Sequence, residues 1–274
     1  MFLLLVALFL LLHSPQFKAR ELDNSFHSSI DATWTTTSNV DKTHDLLKGI
    51  EFVLPDESLP CPEQPLRAYL LSHDPLVVYI ESFISDIESS HLIQRSKPKL
   101  YPAFVYQDGT NRVNQSARKS RTALLDRDHV VRCIEQRAKR IQEWTPGMFL
   151  ERISIQHYDM DGFFTHHYDW FGRAPGPDRI STVNVFLQGN CTGGGTHFPY
   201  LTMPDDREWC RFLDCDASLS GVTFLPLAGN AVYWDNVRYN GSGYLEMLHA
   251  GMPVASGTKI GLNIWSWSAP EPRP

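Results

Sequence analysis

Three side chains in this sequence are of the types that hold a redox-active metal, at a spacing that allows it. His167 and Asp169 stand two residues apart in His167-Tyr168-Asp169, and His249 lies far downstream. Two imidazoles and one carboxylate form the ligand set of a non-haem Fe(II) centre with open coordination positions, the kind that activates O2. Lys259 follows ten residues after His249 and offers a cation on which a dicarboxylate can dock. Residues i and i+2 of an extended strand share a face. His167 and Asp169 therefore reach one ion if the chain is extended there, and the fold must bring His249 from an opposing strand. Three ligands on one side leave room for a chelating 2-oxo acid and for O2.

A second His-x-Asp, His157-Tyr158-Asp159, competes for the same reading. Asp159-Met160-Asp161-Gly162 has the composition of a turn. It carries Asp159 out of the strand plane and leaves His157 as a surface or core histidine. His166 faces away from the site if His167 faces it. His13, His27, His44, His73, His91, His129 and His197 lack a carboxylate at useful spacing and read as structural or exposed. Lys259 opens an apolar run, and an ammonium buried without a partner is costly. A carboxylate co-substrate would be that partner.

These residues must be positioned by strands. Leu76–Phe83 is β-rich. Ser85-Asp86-Ile87-Glu88 forms a capping box that predicts a helix through about Arg95. Asp128–Trp144 carries Val130, Ile134, Ala138 and Ile141 at helical stride, with Pro146 as its stop. Beyond Gly147 the texture turns to strands over Glu151–Tyr158, Arg179–Leu187, Thr196–Phe198 (after the Gly193–Gly195 turn), Val222–Leu227, Ala231–Trp234, Leu245–His249 and Lys259–Trp267. Many short strands and few helices predict a mainly β (α+β) sandwich or barrel. The acidic stretch 204–220, with Asp205, Asp206, Glu208, Asp214 and Asp216, reads as a solvated loop; its spacing is not that of a calcium loop.

With 274 residues and 42% hydrophobic content, the chain can bury one large domain with appendages. Its net charge of −6 and the lack of an extended basic face argue against nucleic acid as a partner. The basic clusters Arg118–Arg121 and Arg137–Arg140 are short and read as solvated surface. Phe2–Leu12 is too short to span a bilayer comfortably and suits the core of a secretory signal over residues 1–20. An uncleaved anchor is the alternative, and the one route to a membrane. Residues 21–75 read as a flexible extension with an irregular, Pro-rich lead-in from 51, order beginning near Pro75; 269–274 is a Pro-rich tail. Sequons at Asn114, Asn190 and Asn240 agree with a secretory route to the endoplasmic reticulum lumen or beyond. So do five cysteines, of which Cys210 and Cys215 are expected to pair and Cys133 to be a buried, inert thiol.

From about Leu76 to Trp267 the chain resembles the catalytic domain of the prolyl 4-hydroxylases, which are Fe(II)/2-oxoglutarate dioxygenases. The matching stretches are Tyr158, His167-Tyr168-Asp169, the run Arg179–Leu187, Gly193-Gly-Gly-Thr-His-Phe-Pro199, Leu225-Pro-Leu-Ala-Gly-Asn-Ala231, the run His249–Lys259, and Asn263-Ile-Trp265. The resemblance implies a double-stranded β-helix, or jelly roll, over 76–268 with helices packed outside. It implies Fe(II) on His167, Asp169 and His249, and the distal carboxylate of 2-oxoglutarate on Lys259, with Tyr158 and Thr196 helping there and Trp265 lining the site. It also implies O2 as oxidant, L-ascorbate to keep iron reduced, and proline in a peptide or protein as substrate. Asp161, Phe164 and the third glycine of Gly193–Gly195 depart from residues common in the family and bear on substrate contacts. Three other readings are a relative acting on a small metabolite, a zinc hydrolase, which leaves Lys259 unexplained, and a non-enzymatic jelly-roll binding module.

Overall fold

The computed structural model describes residues 50–56, 58–107, 110–142, 148–172 and 177–268. The expectations for residues 1–20, 21–49 and 269–274, and for Pro146, fall outside them. In chain order the main elements are β1 (Arg67–His73), β2 (Leu76–Glu81), α1 (Asp86–Ser96), β3 (Arg121–Leu124), α2 (His129–Ile141), β4 (Ser154–Tyr158), β5 (Phe163–His167), β6 (Arg179–Gly193), β7 (Thr196–Phe198), β8 (Val222–Phe224), β9 (Ala231–Asp235), β10 (His249–Gly251) and β11 (Val254–Trp267). They form two antiparallel sheets. The larger runs β1-β2-β9-β6-β11-β4-β3 and ends on Tyr101–Pro102. The smaller runs β8-β7-β10-β5 and ends on Arg118–Lys119. This is the jelly-roll architecture, with α1 and α2 added to it.

The period-two alternation of each long strand divides its side chains between two environments. In β6, Val183, Val185 and Leu187 join a core with Ile134 and Ala138 of α2 and Leu92 of α1. The intervening Phe186 enters a second core with Phe198, Val222, Phe224 and Trp234. β11 alternates likewise: Ile260, Leu262 and Ile264 face the helix-side core. Lys259, Gly261, Asn263 and Trp265 line the cavity between the sheets, as do Gln156 and Tyr158 of β4. Lys259 and Asn263, polar residues in an otherwise apolar run, are thus placed in one shared cavity.

The helices start where their caps predict. Ser85 accepts from the Glu88 N–H while Glu88 reaches back to the Ser85 N–H. Asp128 accepts from the Val131 N–H, and α2 begins at His129. Arg137 is not solvated, contrary to expectation. It is buried, donates to the Phe83 carbonyl at 2.9 Å and pairs with Glu88 at 2.8 Å, joining α2 to the start of α1.

Several boundaries differ from the sequence reading. The lead-in before Pro75 contains β1 and the strand Phe52–Val53. Gln136 Nε2 donates to the carbonyls of Asp56 and Leu59, which ties this segment to α2. Cys133 is not an inert thiol. It is bonded to Cys61, closing a separation of 72 residues. Cys210 pairs with Cys215 as expected, and Cys191 is the free cysteine among those described. The acidic stretch is not all solvated loop: a 3-10 turn at Arg207–Arg211 leads into buried Phe212 and Leu213, and Phe212 stacks on Tyr79 at 4.1 Å. Leu245–Met247 is a 3-10 turn rather than strand, and β10 begins at His249 itself.

The two disulfides should differ in their effect on stability. Loop-closure entropy gives about 4 kcal/mol for a 72-residue loop and about 2 kcal/mol for a five-residue one. Cys133→Ser should therefore lower Tm by roughly twice as much as Cys215→Ser. Equal shifts in thermal melts of the two variants would contradict this.

Candidate active site

β5 and β10 pair with His167 directly opposite His249, ring centroids 4.3 Å apart. Asp169 lies just past the end of β5. The three offer ligand atoms all within 4.8 Å of one another. Asp169 Oδ1 is 3.8 Å from His167 Nε2, and Oδ2 is 3.8 Å from His249 Nε2. Asp169 and His249 are buried, and His167 is half-buried.

Both imidazoles are held in the tautomer a metal needs. His167 Nδ1 donates to the Thr165 carbonyl at 2.8 Å, and His249 Nδ1 donates to the Met247 carbonyl at 2.9 Å. A carbonyl only accepts, so Nδ1 carries a proton in each ring, and it is Nε2 that is left to face the site. Burial, with His249 beside it, pushes the His167 pKa down to about 3, so this ring is neutral in ordinary buffers. Burial alone would raise the Asp169 carboxyl. The facing His249 and His167, then Arg179 and the Trp265 N–H, outweigh it and hold the carboxyl below its usual range. Two imidazole Nε2 atoms and a carboxylate converging on one point fit a divalent metal, and this donor set fits Fe(II).

Lys259 projects from β11 into the same cavity, which is partly open to solvent. Its side chain is only 4% exposed, yet no carboxylate pairs with it among the described residues. Its one hydrogen bond there is to Thr196 Oγ1, at 3.4 Å. The Tyr158 and Phe186 rings lie 5.6 and 5.5 Å from Nζ. Burial holds the ammonium's pKa down to about 8, with Cys191 nearby acting the other way.

Every site residue read from the sequence is in or beside this cavity: His167, His249, Lys259, Tyr158, Thr196 and Trp265 line it, and Asp169 accepts from the Trp265 N–H at 3.0 Å. The competing His157 lies elsewhere, next to Arg121, which pairs with Asp159. His166 is exposed on the other face, against His197, which is buried and bonded to Thr223. Sequence reasoning missed Gln156, Asn184 and Asn263 in the cavity wall, and Thr182 bonded to Asp169. Their signal was present: Thr182 and Asn184 interrupt an apolar strand at alternate positions, and so do Lys259 and Asn263.

Comparison with known proteins agrees with the geometry. Residues 153–267 match the 2OG-Fe(II) oxygenase superfamily. Prolyl 4-hydroxylase 5 of Arabidopsis thaliana is 30% identical over 207 residues, which cover 72% of this chain and 69% of that protein. The chain belongs to the prolyl 4-hydroxylase family of 2OG-Fe(II) oxygenases. It is also 27% identical over 214 residues to prolyl 4-hydroxylase subunit alpha-2 of Caenorhabditis elegans, covering 73% of this oxygenase but 36% of the nematode subunit. The fold matches that of the viral collagen prolyl hydroxylase of Paramecium bursaria Chlorella virus-1, solved with 2OG. The TM-score is 0.54 at 23% identity, covering 70% of this oxygenase and 96% of the viral chain. Family membership makes this chain a 2-oxoglutarate-dependent dioxygenase and sets aside the zinc-hydrolase and binding-module readings.

Proposed function

We propose that this oxygenase hydroxylates proline in a peptide or protein, with Fe(II) held by His167, Asp169 and His249 and with 2-oxoglutarate anchored on Lys259. One observation carries the assignment of residues. A buried cation with no carboxylate partner among the described residues shares a cavity with His167 and His249, and Asp169 converges with those two at its edge. The substrate class rests on relatives named as prolyl 4-hydroxylases.

When bound, iron and 2-oxoglutarate supply the oxidising chemistry: O2 is consumed, the keto acid becomes succinate and CO2, and one oxygen atom enters a substrate C–H bond. The protein's own residues bind and orient. Lys259, set by Thr196, neutralises the distal carboxylate of the co-substrate. Thr196 accepts from Lys259, which can only donate, and so turns its own proton to Asn184 Oδ1 at 3.3 Å. Asn184 Nδ2 in turn donates to Asn263 Oδ1 at 2.6 Å. The far wall is thereby held in one orientation. Aromatic rings on both sides of the donors keep water from them: Phe164 stacks on His167 at 3.6 Å, and Phe198 on His249 at 5.3 Å. L-Ascorbate is the reductant that keeps iron ferrous in this family.

The test is 2-oxoglutarate-dependent conversion of proline-containing peptides, read as hydroxyproline by mass spectrometry. Decarboxylation stimulated only by small metabolites would overturn the substrate class. The pH dependence follows from Lys259, whose charged form binds the dicarboxylate. That charge is lost in the folded protein as pH rises through about 8, so KM for 2-oxoglutarate should rise about tenfold per unit above pH 8. Between about 8 and 10.5 the unfolded chain keeps a proton that the folded chain has released, so the co-substrate-free protein should gain stability across that window. A KM flat to pH 10 would contradict the assignment of Lys259.

The secretory route belongs to the same proposal. Two disulfides suit an oxidising lumen. Asn240 is exposed in a turn where its Oδ1 accepts from the Ser242 N–H and hydroxyl, and Asn114 makes the same turn with Ser116. Asn190 is exposed on β6. Expression in a secreting eukaryotic host should give a product that loses mass on N-glycosidase treatment. A product of unchanged mass would count against this route.

A further inference from the structure

On the larger sheet, Thr182 of β6 stands in register between Trp234 of β9 and Trp265 of β11. Four hydrogen bonds, three buried and one part-buried, run through this row to Asp169. Trp234 Nε1 meets Asn236 Oδ1 at 2.8 Å, and Asn236 Nδ2 meets Thr182 Oγ1 at 2.9 Å. Thr182 Oγ1 meets Asp169 Oδ2 at 2.8 Å, and Trp265 Nε1 meets the same Oδ2 at 3.0 Å. Trp234, Asn236, Thr182 and Asp169 are each at most 4% exposed.

The direction of every bond follows from its first member. An indole N–H only donates, so the Asn236 atom facing Trp234 is the oxygen and its NH2 faces Thr182. Thr182 must then accept from Asn236, and its single proton is left for Asp169. The backbone holds Asn236 as well: its N–H donates to the Ile180 carbonyl, and its own carbonyl accepts from the Tyr244 N–H. Oδ2 of Asp169, 3.8 Å from His249 Nε2, therefore takes two donors, while Oδ1, 3.8 Å from His167 Nε2, has no such bond among those found.

We propose that Trp234, Asn236 and Thr182 are positioning residues that hold the Asp169 carboxylate in the orientation in which it meets the metal. The proposal rests on the reading of His167, Asp169 and His249 as the metal ligands. Partners behind a metal ligand typically change metal affinity by about 10- to 100-fold when removed.

Thr182→Val tests this, because it keeps the shape of the side chain and removes the hydroxyl. Metal affinity is measured on the metal-free full-length protein, anaerobically, by titration with Fe(II) and with Co(II) against a chelator. Thermal melts of the metal-free protein run beside it. Thr182→Val is expected to bind metal about 10- to 100-fold more weakly, and Thr182→Ser to stay within about threefold of wild type. Should Thr182→Val not fold, Trp234→Phe keeps a ring and removes the N–H that orients Asn236, and is expected to weaken metal severalfold. A merely structural role would lower the melting temperature and leave metal affinity within twofold of wild type, and that result overturns the proposal. Failure of the ligand assignment looks different: His249→Ala would then bind metal as tightly as wild type.

Discussion

Replacing His249 by alanine should abolish 2-oxoglutarate turnover, a loss of at least about a thousandfold, and remove stoichiometric Fe(II) binding. The reason is local. The Met247 carbonyl holds Nδ1, so Nε2 is the ring atom turned to the site, 3.8 Å from Asp169. Neither neighbouring ring can replace it, because Phe198 and Trp234 contact His249 without a metal-binding atom. The same change removes a ring stacked on Phe198, so the variant should also melt at a lower temperature. Metal content, read on folded protein, separates the two effects. A folded variant that retains iron and activity would show that another residue completes the site.

Lys259→Met should act on binding and on stability in opposite directions. Breaking one partner of a buried charged contact costs about 2–5 kcal/mol, so KM for 2-oxoglutarate should rise roughly 30-fold to several thousand-fold. Metal affinity should hardly change, since Lys259 touches Thr196 rather than the metal donors. Without co-substrate, however, the ammonium is a buried charge with no carboxylate beside it among the described residues. Methionine fills similar space at no desolvation cost, so the metal-free, ligand-free variant should melt a few degrees higher than wild type. Titration of initial rates against 2-oxoglutarate and paired thermal melts check both parts. A variant with unchanged KM, or one that is less stable, would mean that Lys259 is a structural cation.

The three side chains that converge at the candidate metal site were named in the sequence because their chemistry is local. The His-x-Asp pair reads as sharing one extended strand, whereas β5 ends at His167 and Asp169 lies at the bend just beyond it; the turn at Asp159–Gly162 already argued against the other pair. Asp161, which has a positive φ of 61°, sits in that turn. Lys259 was legible as an anomaly in an apolar run, though not as a mid-strand residue. β11 begins at Val254 and passes through Gly257, whose φ of 76° is a conformation favoured by glycine. A Cβ there would lie 2.0 Å from the Asn190 carbonyl oxygen. Such a glycine reads as a turn from sequence alone, yet it sits inside a long hairpin arm.

What could not be read depends on contacts between remote segments. Thr182 matters because β6 lies between β9 and β11, and Asn236 matters because of the loop that follows β9. Cys133 looked like a core thiol because the helical stride placed it inward. That stride says nothing of Cys61, which the segment leading to β1 brings against α2. Arg137 belonged by composition to a solvated cluster, and only the approach of Glu88 and the Phe83 carbonyl explains its burial.

The most direct test of the ligand assignment is an anaerobic titration of the Fe(II)-loaded protein with 2-oxoglutarate, followed by visible absorption. Wild type should develop a weak charge-transfer band that saturates at one equivalent of bound co-substrate. Lys259→Met should show the band only at much higher 2-oxoglutarate, and His249→Ala should show none. An undiminished band in His249→Ala, or no band in folded, iron-loaded wild type, would contradict a single ferrous site built from residues 167, 169 and 249.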